Sequence, residues 1–215
     1  MKASTHMSVK PVTSPLPTIE FWFEFGSNYS YLSVMRIEAA AARSGVQIRW
    51  KPFLLGPIFR SFGWETSPFV LQKAKGDYVW RDMARECRKA GLVWRKPSTF
   101  PRTALLPLRV AILGAEQDWM GGYCRHIMSL NFAEDRDIDF QDVVAEVLAQ
   151  LGLQVNEILT AAQSETNKLK LREQTETAKV KGIFGAPTFF VGDEMFWGND
   201  RLDDALAYAA GRVFT

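Results

Sequence analysis

Residues 18–45, TIEFWFEFGSNYSYLSVMRIEAAAARSG, change their period once, and that change limits what the chain can fold into. The segment 18–25 is dense in aromatic and β-branched residues and too short for a helix, so it reads as a central strand. Gly26 interrupts it. From Tyr29 the pattern is helical, with Leu32, Met35, Ala39 and Ala42 predicted on one apolar face and Gly45 as the stop. VQIRWKPF (46–53) then alternates with period two, which completes a β-α-β unit.

Beyond this unit the signals from 67 to 164 are helical. Pro68 stands just inside a helix start, a long amphipathic run ends at Gly91, and further apolar-periodic segments follow. Residues 165–182 read as one more long helix, and PTFFVGDEMFWG as two short strands around a Gly192-Asp193 turn. The last helix is predicted to begin at Asn199 as N-cap, with acids in its first turn. The order β-α-β, helical block, α-β-β-α predicts an α/β protein with a thioredoxin-like fold and an all-helical insertion. The expected division is a thioredoxin-like domain over 18–66 and 165–215, a helical insertion over 67–164, and a flexible N-terminal segment over 1–17 that is rich in Ser, Thr and Pro.

Several function classes are excluded on this reading. A net charge of +2 is too mild for a nucleic-acid partner, because phosphate-binding surfaces concentrate basic residues far more heavily. No stretch approaches the roughly 18 apolar residues that cross a bilayer, so a soluble cytoplasmic protein without a membrane partner is expected. Cys87 and Cys124 form no CxxC and have no His at ligand spacing, so neither a metal site nor a dithiol redox centre is encoded.

Ser27 and Ser30 fall where a parallel strand ends and a helix begins, the place where open sheets put ligands and where free N–H groups and the helix dipole favour an anion. Thiol oxidoreductases of this fold place a cysteine thiolate there. A serine cannot exchange disulfides, but its hydroxyl can hydrogen-bond a ligand thiolate, with glutathione as the carrier; the plain alternative is an N-cap. In GIFGAPTFF, the Ala186–Pro187 bond is expected to be cis, presenting the Ala186 backbone to a peptide-like ligand; an ordinary trans proline opening an edge strand is the alternative. Asn199 and Asp200 could meet the carboxylate and ammonium of a γ-glutamyl group, or simply cap a helix.

Other candidates are weaker. Lys51 could face a substrate carboxylate or be a solvated strand end. Arg81, Arg85, Arg88, Lys89, Arg95, Lys96 and Arg102 could attract an anionic aromatic substrate or be a solvated helix face. His126 reads as structural, and Trp50, Trp64, Trp80, Trp94 and Trp197 as mostly core.

FWFEFGSNYSYL, IRWKPFLLGPIF, KGDYVWRDM and GIFGAPTFFVGDEMFWGNDRLDDAL together resemble the 2-hydroxychromene-2-carboxylate isomerase family, relatives of kappa-class glutathione transferases and of DsbA-like oxidoreductases, over about residues 19–211. The resemblance implies a glutathione-dependent isomerase with glutathione as cofactor and an aromatic carboxylate as substrate. It implies that Ser27 contacts the glutathione sulfur, that Ala186 and Pro187 form the cis-proline loop, and that Asn199 and Asp200 meet the γ-glutamyl group. A homodimer is compatible with it. Where the family reads Ser-Pro, this chain has Asn28, so a stiff turn is replaced by a polar side chain. A conjugating transferase and a non-catalytic binding module are the rival readings.

Overall fold

The computed structural model describes residues 16–212; residues 1–15, most of the N-terminal segment set aside above, lie outside the described residues. Among the described residues the strands form one mixed sheet, in the order β2-β1-β3-β4. Strand β1 (Thr18–Phe23) pairs in parallel with β2 (Gln47–Pro52) and antiparallel with β3 (Thr188–Val191), which pairs with β4 (Glu194–Trp197). Between β1 and β2 runs helix α1 (Asn28–Ser44). After β2 come α2 (Leu55–Ser61), α3 (Pro68–Leu71), α4 (Lys73–Lys89), α5 (Leu105–Gly114), α6 (Met120–Phe132), α7 (Gln141–Gln150), α8 (Val155–Gln163) and α9 (Glu165–Val180). The chain ends in a 3-10 turn (Asn199–Arg201) and α10 (Leu202–Ala209). This is the thioredoxin-like fold with a helical insertion that the element order predicts.

The centre of the sheet is buried on both faces, and the second half of β1 accordingly consists of three buried aromatics, Phe21, Trp22 and Phe23. Phe21 and Phe23 point into the larger core with Trp50 and Phe189, under α1 and α10. Trp22 points the other way, into a second core with Phe53, Ile58, Ala178, Ile183 and Phe190, under α2 and α9. Burying one such aromatic side chain stabilises the fold by about 2–3 kcal/mol.

Three local expectations change. The face of α1 is only partly the predicted one: Leu32 is buried and Met35 half-buried, but Ala39 and Ala42 are exposed, while Val34, Ile37, Ala40 and Ala41 are buried. Helices α4, α6 and α10 all pack on α1, so its buried arc is wider than one stripe, and small alanines carry little periodic signal. Asn199 does not cap α10; it opens the 3-10 turn, and the residue before α10 is Arg201. The tryptophans divide: Trp50 is core, Trp80 and Trp94 are half-buried in a stack that continues to Phe132, and Trp64 and Trp197 are exposed.

Two proline peptide bonds are cis, the expected Ala186–Pro187 and also Phe100–Pro101. Cys87 and Cys124 are buried free thiols. Burial pushes the Cys87 thiol up to about 11 and that of Cys124 well above its ordinary value, so neither is a nucleophile at neutral pH. Among the described residues no helix is long and apolar enough to cross a membrane.

Candidate active site

Ser27 is the N-cap of α1, in an extended conformation (φ −84°, ψ 114°) that places its hydroxyl over the first turn. The Ser27 Oγ accepts from the Ser30 N–H at 3.3 Å and donates to the Ala186 carbonyl at 2.9 Å. The N-cap and ligand readings of Ser27 are therefore not exclusive, since the same atom caps the helix and faces the Ala186–Pro187 loop.

From that loop the structure leads back to α1. The Pro187 carbonyl accepts from the Gly198 N–H at 3.0 Å, which holds β4 and the following turn beside the proline. Asn199 comes next, and its Oδ1 accepts from Ser33 Oγ at 3.0 Å and from Arg36 Nε at 3.2 Å. Arg36 also donates to the Asn199 carbonyl at 2.7 Å and pairs with Asp203 at 2.8 Å. Because a guanidinium can only donate, the Asn199 amide must turn its oxygen to Arg36, and its Nδ2 is what remains for another partner. Ser27, Ala186, Pro187 and Asn199 thus share one strip along α1.

The first turn of α1 also holds buried donors with no hydrogen-bond partner, Asn28 Nδ2 and Ser30 Oγ. Buried polar atoms of this kind cost free energy unless a partner arrives. Together with the helix N-terminus they fit an anionic group carried by a ligand. Asn28 is 1% exposed, so the second residue of this turn is a buried amide.

Asp200 projects into solvent beside Arg201, 3.7 Å away. Lys51 is not brought to Ser27. It lines a separate groove between the sheet and α9 with Glu20, Trp22, Lys170, Gln174 and Lys181, and neither Ser27 nor Asn199 is among the walls.

The basic run splits. Arg102 is buried and donates to Asn131, Ser98 and Asp135, a structural network in which the Ser98 N–H and Arg102 hold the Asp135 carboxyl down at about 2. It is therefore unavailable to a substrate, which corrects its inclusion among the attracting charges. Arg85 and Lys89 pair with Asp82 and Glu86 on α4 itself. His126 is exposed, with Nδ1 2.8 Å from the Gly122 carbonyl of the preceding turn.

Two residues escaped the sequence reading. Arg36, which fixes Asn199, looks like any solvated helix cation until α10 is placed beside α1. Glu24 carries a visible signal, an acid inside the aromatic run just before Gly26. It is buried, and its Oε2 accepts from the Gly26 N–H at 2.9 Å.

A family model described as a DSBA-like thioredoxin domain matches residues 18–209. The chain belongs to the DSBA-like thioredoxin family. Within the curated members, this DSBA-like domain is 29% identical over 195 residues to 2-hydroxychromene-2-carboxylate isomerase of Pseudomonas putida, covering 91% of this chain and 95% of that protein. It is 25% identical over 206 residues to glutathione S-transferase kappa 2 of Caenorhabditis elegans, covering 89% and 91% of the two chains. A solved structure of a 2-hydroxychromene-2-carboxylate isomerase superposes on the domain with a TM-score of 0.81 at 27% identity, over 91% of this chain and 95% of the other. Ser27 and Ser30 have the spacing of a Cys-x-x-Cys pair but carry hydroxyls in place of thiols.

Proposed function

We propose that the chain is a glutathione-dependent isomerase of the 2-hydroxychromene-2-carboxylate type, acting on an aromatic unsaturated keto acid. The observation that carries the reading is the strip from Ser27 through Ala186 to Asn199, in a chain that aligns with such an isomerase over nine-tenths of its length. The two ends of the strip offer different chemistry, an anion site at the α1 N-terminus and the polar groups of Asn199 and Asp200.

Glutathione, when bound, supplies a thiolate whose reversible addition lets the conjugated double bond of the substrate turn, so it is a cofactor and is not consumed. The role of the chain is to hold that sulfur as an anion. The Ser27 hydroxyl donates to it, the first turn of α1 adds its dipole and the unpartnered Ser30 and Asn28 donors, and the Ala186 backbone holds the middle of the peptide. Asn199 and Asp200 receive the γ-glutamyl end. Asn199 is preset for this by Arg36 and Ser33.

The deciding experiment follows the interconversion of 2-hydroxychromene-2-carboxylate and its ring-opened benzylidenepyruvate isomer while free thiol is counted. The expected result is a rate that needs glutathione with no loss of thiol. Stoichiometric thiol loss would make the protein a conjugating transferase, and glutathione binding without turnover would make it a binding module.

A further inference from the structure

A groove of about 380 Å³ opens where β2, α5 and α9 meet, apart from the strip along α1. Lys51 stands opposite Trp22 in the register of β2 on β1, so both side chains leave the sheet on the same face, toward α9. From α9 and its C-cap come Lys170, Gln174, Thr177 and Lys181, spaced three or four apart and so aligned on one side of the helix.

Part of the charge in this groove is already matched. Glu20 accepts from the Trp22 indole N–H at 3.0 Å and pairs with Lys181 at 3.3 Å, and the Lys181 ammonium also lies 4.3 Å from the centre of the Phe190 ring. The rest is not matched. Lys51 is half-buried and Lys170 exposed, and neither has an ion pair or a hydrogen bond among the described residues. Lys168 and Lys179, which do not line the groove, do pair, with Glu165 and Glu176. Glu173 is the other acid of the groove; it is exposed and makes no ion pair. Three lysines against two glutamates leave the walls with one positive charge. A half-buried ammonium with no partner is costly, and an anion brought by a ligand removes that cost.

The remaining walls select the kind of anion. Ile112 and Ala115 of α5 and the Trp22 ring are apolar. Gln174 gives its Nε2 to the Pro52 carbonyl at 2.5 Å, which leaves its Oε1 as an acceptor. Among the described residues no arginine, glycine-rich loop or helix N-terminus lines the groove, and those are the groups that gather phosphates.

We propose that this groove is a second binding site, for a small organic monoanion. The carboxylate of the ligand lies between Lys51 and Lys170, its apolar body rests on Trp22, Ile112 and Ala115, and a hydroxyl on that body meets Gln174 Oε1. The site is independent of glutathione, so it is tested without it.

The probe is benzoate, titrated calorimetrically into the whole chain at constant ionic strength. Wild type should bind it at one site. Lys51→Met and Lys170→Met should each weaken binding by roughly tenfold or more, the scale of losing one charge-assisted hydrogen bond. Lys51→Arg keeps the charge and should stay within a few fold of wild type, which separates a lost charge from a disturbed fold. Amide NMR shifts on adding benzoate should centre on Lys51, Gln174 and Thr177 and leave Ser27 and Asn199 in place. No binding at millimolar benzoate, an affinity that both methionine variants leave unchanged, or shifts centred on Ser27 would overturn the proposal. Inorganic phosphate bound as tightly as benzoate would overturn it as well, since the apolar walls would then contribute nothing.

Discussion

The Ser27 hydroxyl donates to the Ala186 carbonyl at 2.9 Å and, through the same oxygen, accepts from Ser30 at 3.3 Å. A hydroxyl has one proton, so the one now given to Ala186 must be redirected before Ser27 can serve a sulfur anion. A peptide ligand makes that exchange neutral in hydrogen bonds, because its own N–H can take the place of Ser27 at the Ala186 carbonyl. In the free protein the tether is structural. Ser27→Ala should therefore cost about 1–2 kcal/mol in denaturant unfolding, from the lost cap and the lost donor to Ala186.

Asn199 joins the C-terminal turn to α1 through its oxygen, not its nitrogen. Asn199→Asp keeps an acceptor facing Arg36 and Ser33 and should hold stability within about 0.5 kcal/mol, whereas Asn199→Ala leaves both donors unmatched and should lose about 1–2 kcal/mol. Both should weaken glutathione binding, because both remove the Nδ2 donor. Calorimetric titration beside thermal unfolding separates the two effects, and full affinity in either variant would remove Asn199 from the site.

Glu24 gives stability a pH dependence of defined sign. Its carboxyl is raised from 4.5 to about 7 by burial, so the native state binds the proton more tightly than the unfolded chain does. The stability this contributes is fully present below about 4.5 and is lost as pH rises through about 7. Glu24→Gln cannot ionise. Relative to wild type it should gain up to roughly 2–3 kcal/mol between pH 4.5 and pH 8.5 in urea unfolding. A difference that is flat with pH would show that Glu24 ionises freely in the fold.

Two glycines beside the site should respond differently to alanine. At Gly26 the new Cβ would meet the Arg102 carbonyl at 2.9 Å, a backbone atom that cannot move aside alone. At Gly185 it would meet Trp197 Nε1 at 2.6 Å, but that ring is half exposed and can swing away. Gly26→Ala is expected to cost about 1–3 kcal/mol and Gly185→Ala under 1 kcal/mol. Equal costs would mean that the Trp197 ring is held as firmly as the backbone.

What the sequence made legible was local. The break at Gly26, the serine at the following helix start, the proline before β3 and the Gly192 turn are each declared by neighbouring residues, and together they order the elements of the fold. What it hid depends on contacts across the chain. Arg36 meets Asn199 more than 160 positions away, and Arg102 reads as one more surface cation until Asn131 and Asp135 surround it. Asn199 carries a strong cap signal that the structure spends on tying α10 to α1. The alanine-rich back of α1 could not reveal its buried arc, because alanine is at home on either side of a helix. Lys51 reads from the sequence as facing a substrate carboxylate or as a solvated strand end, and which groove it lines, the one beside α9, depends on the placement of that helix.

Support of a thiolate by the Ser27 hydroxyl is measured most directly by the pH titration of bound glutathione, followed by thiolate absorbance in wild type and Ser27→Ala, with isomerase turnover recorded on the same samples. The prediction is a thiol pKa raised by roughly one unit or more in Ser27→Ala and a turnover lowered about tenfold to a thousandfold, the scale of losing one donor to a reacting anion. Affinity for S-methylglutathione should change far less. Coincident titration curves with unchanged turnover would contradict it and leave Ser27 as a structural residue that caps α1 and tethers Ala186.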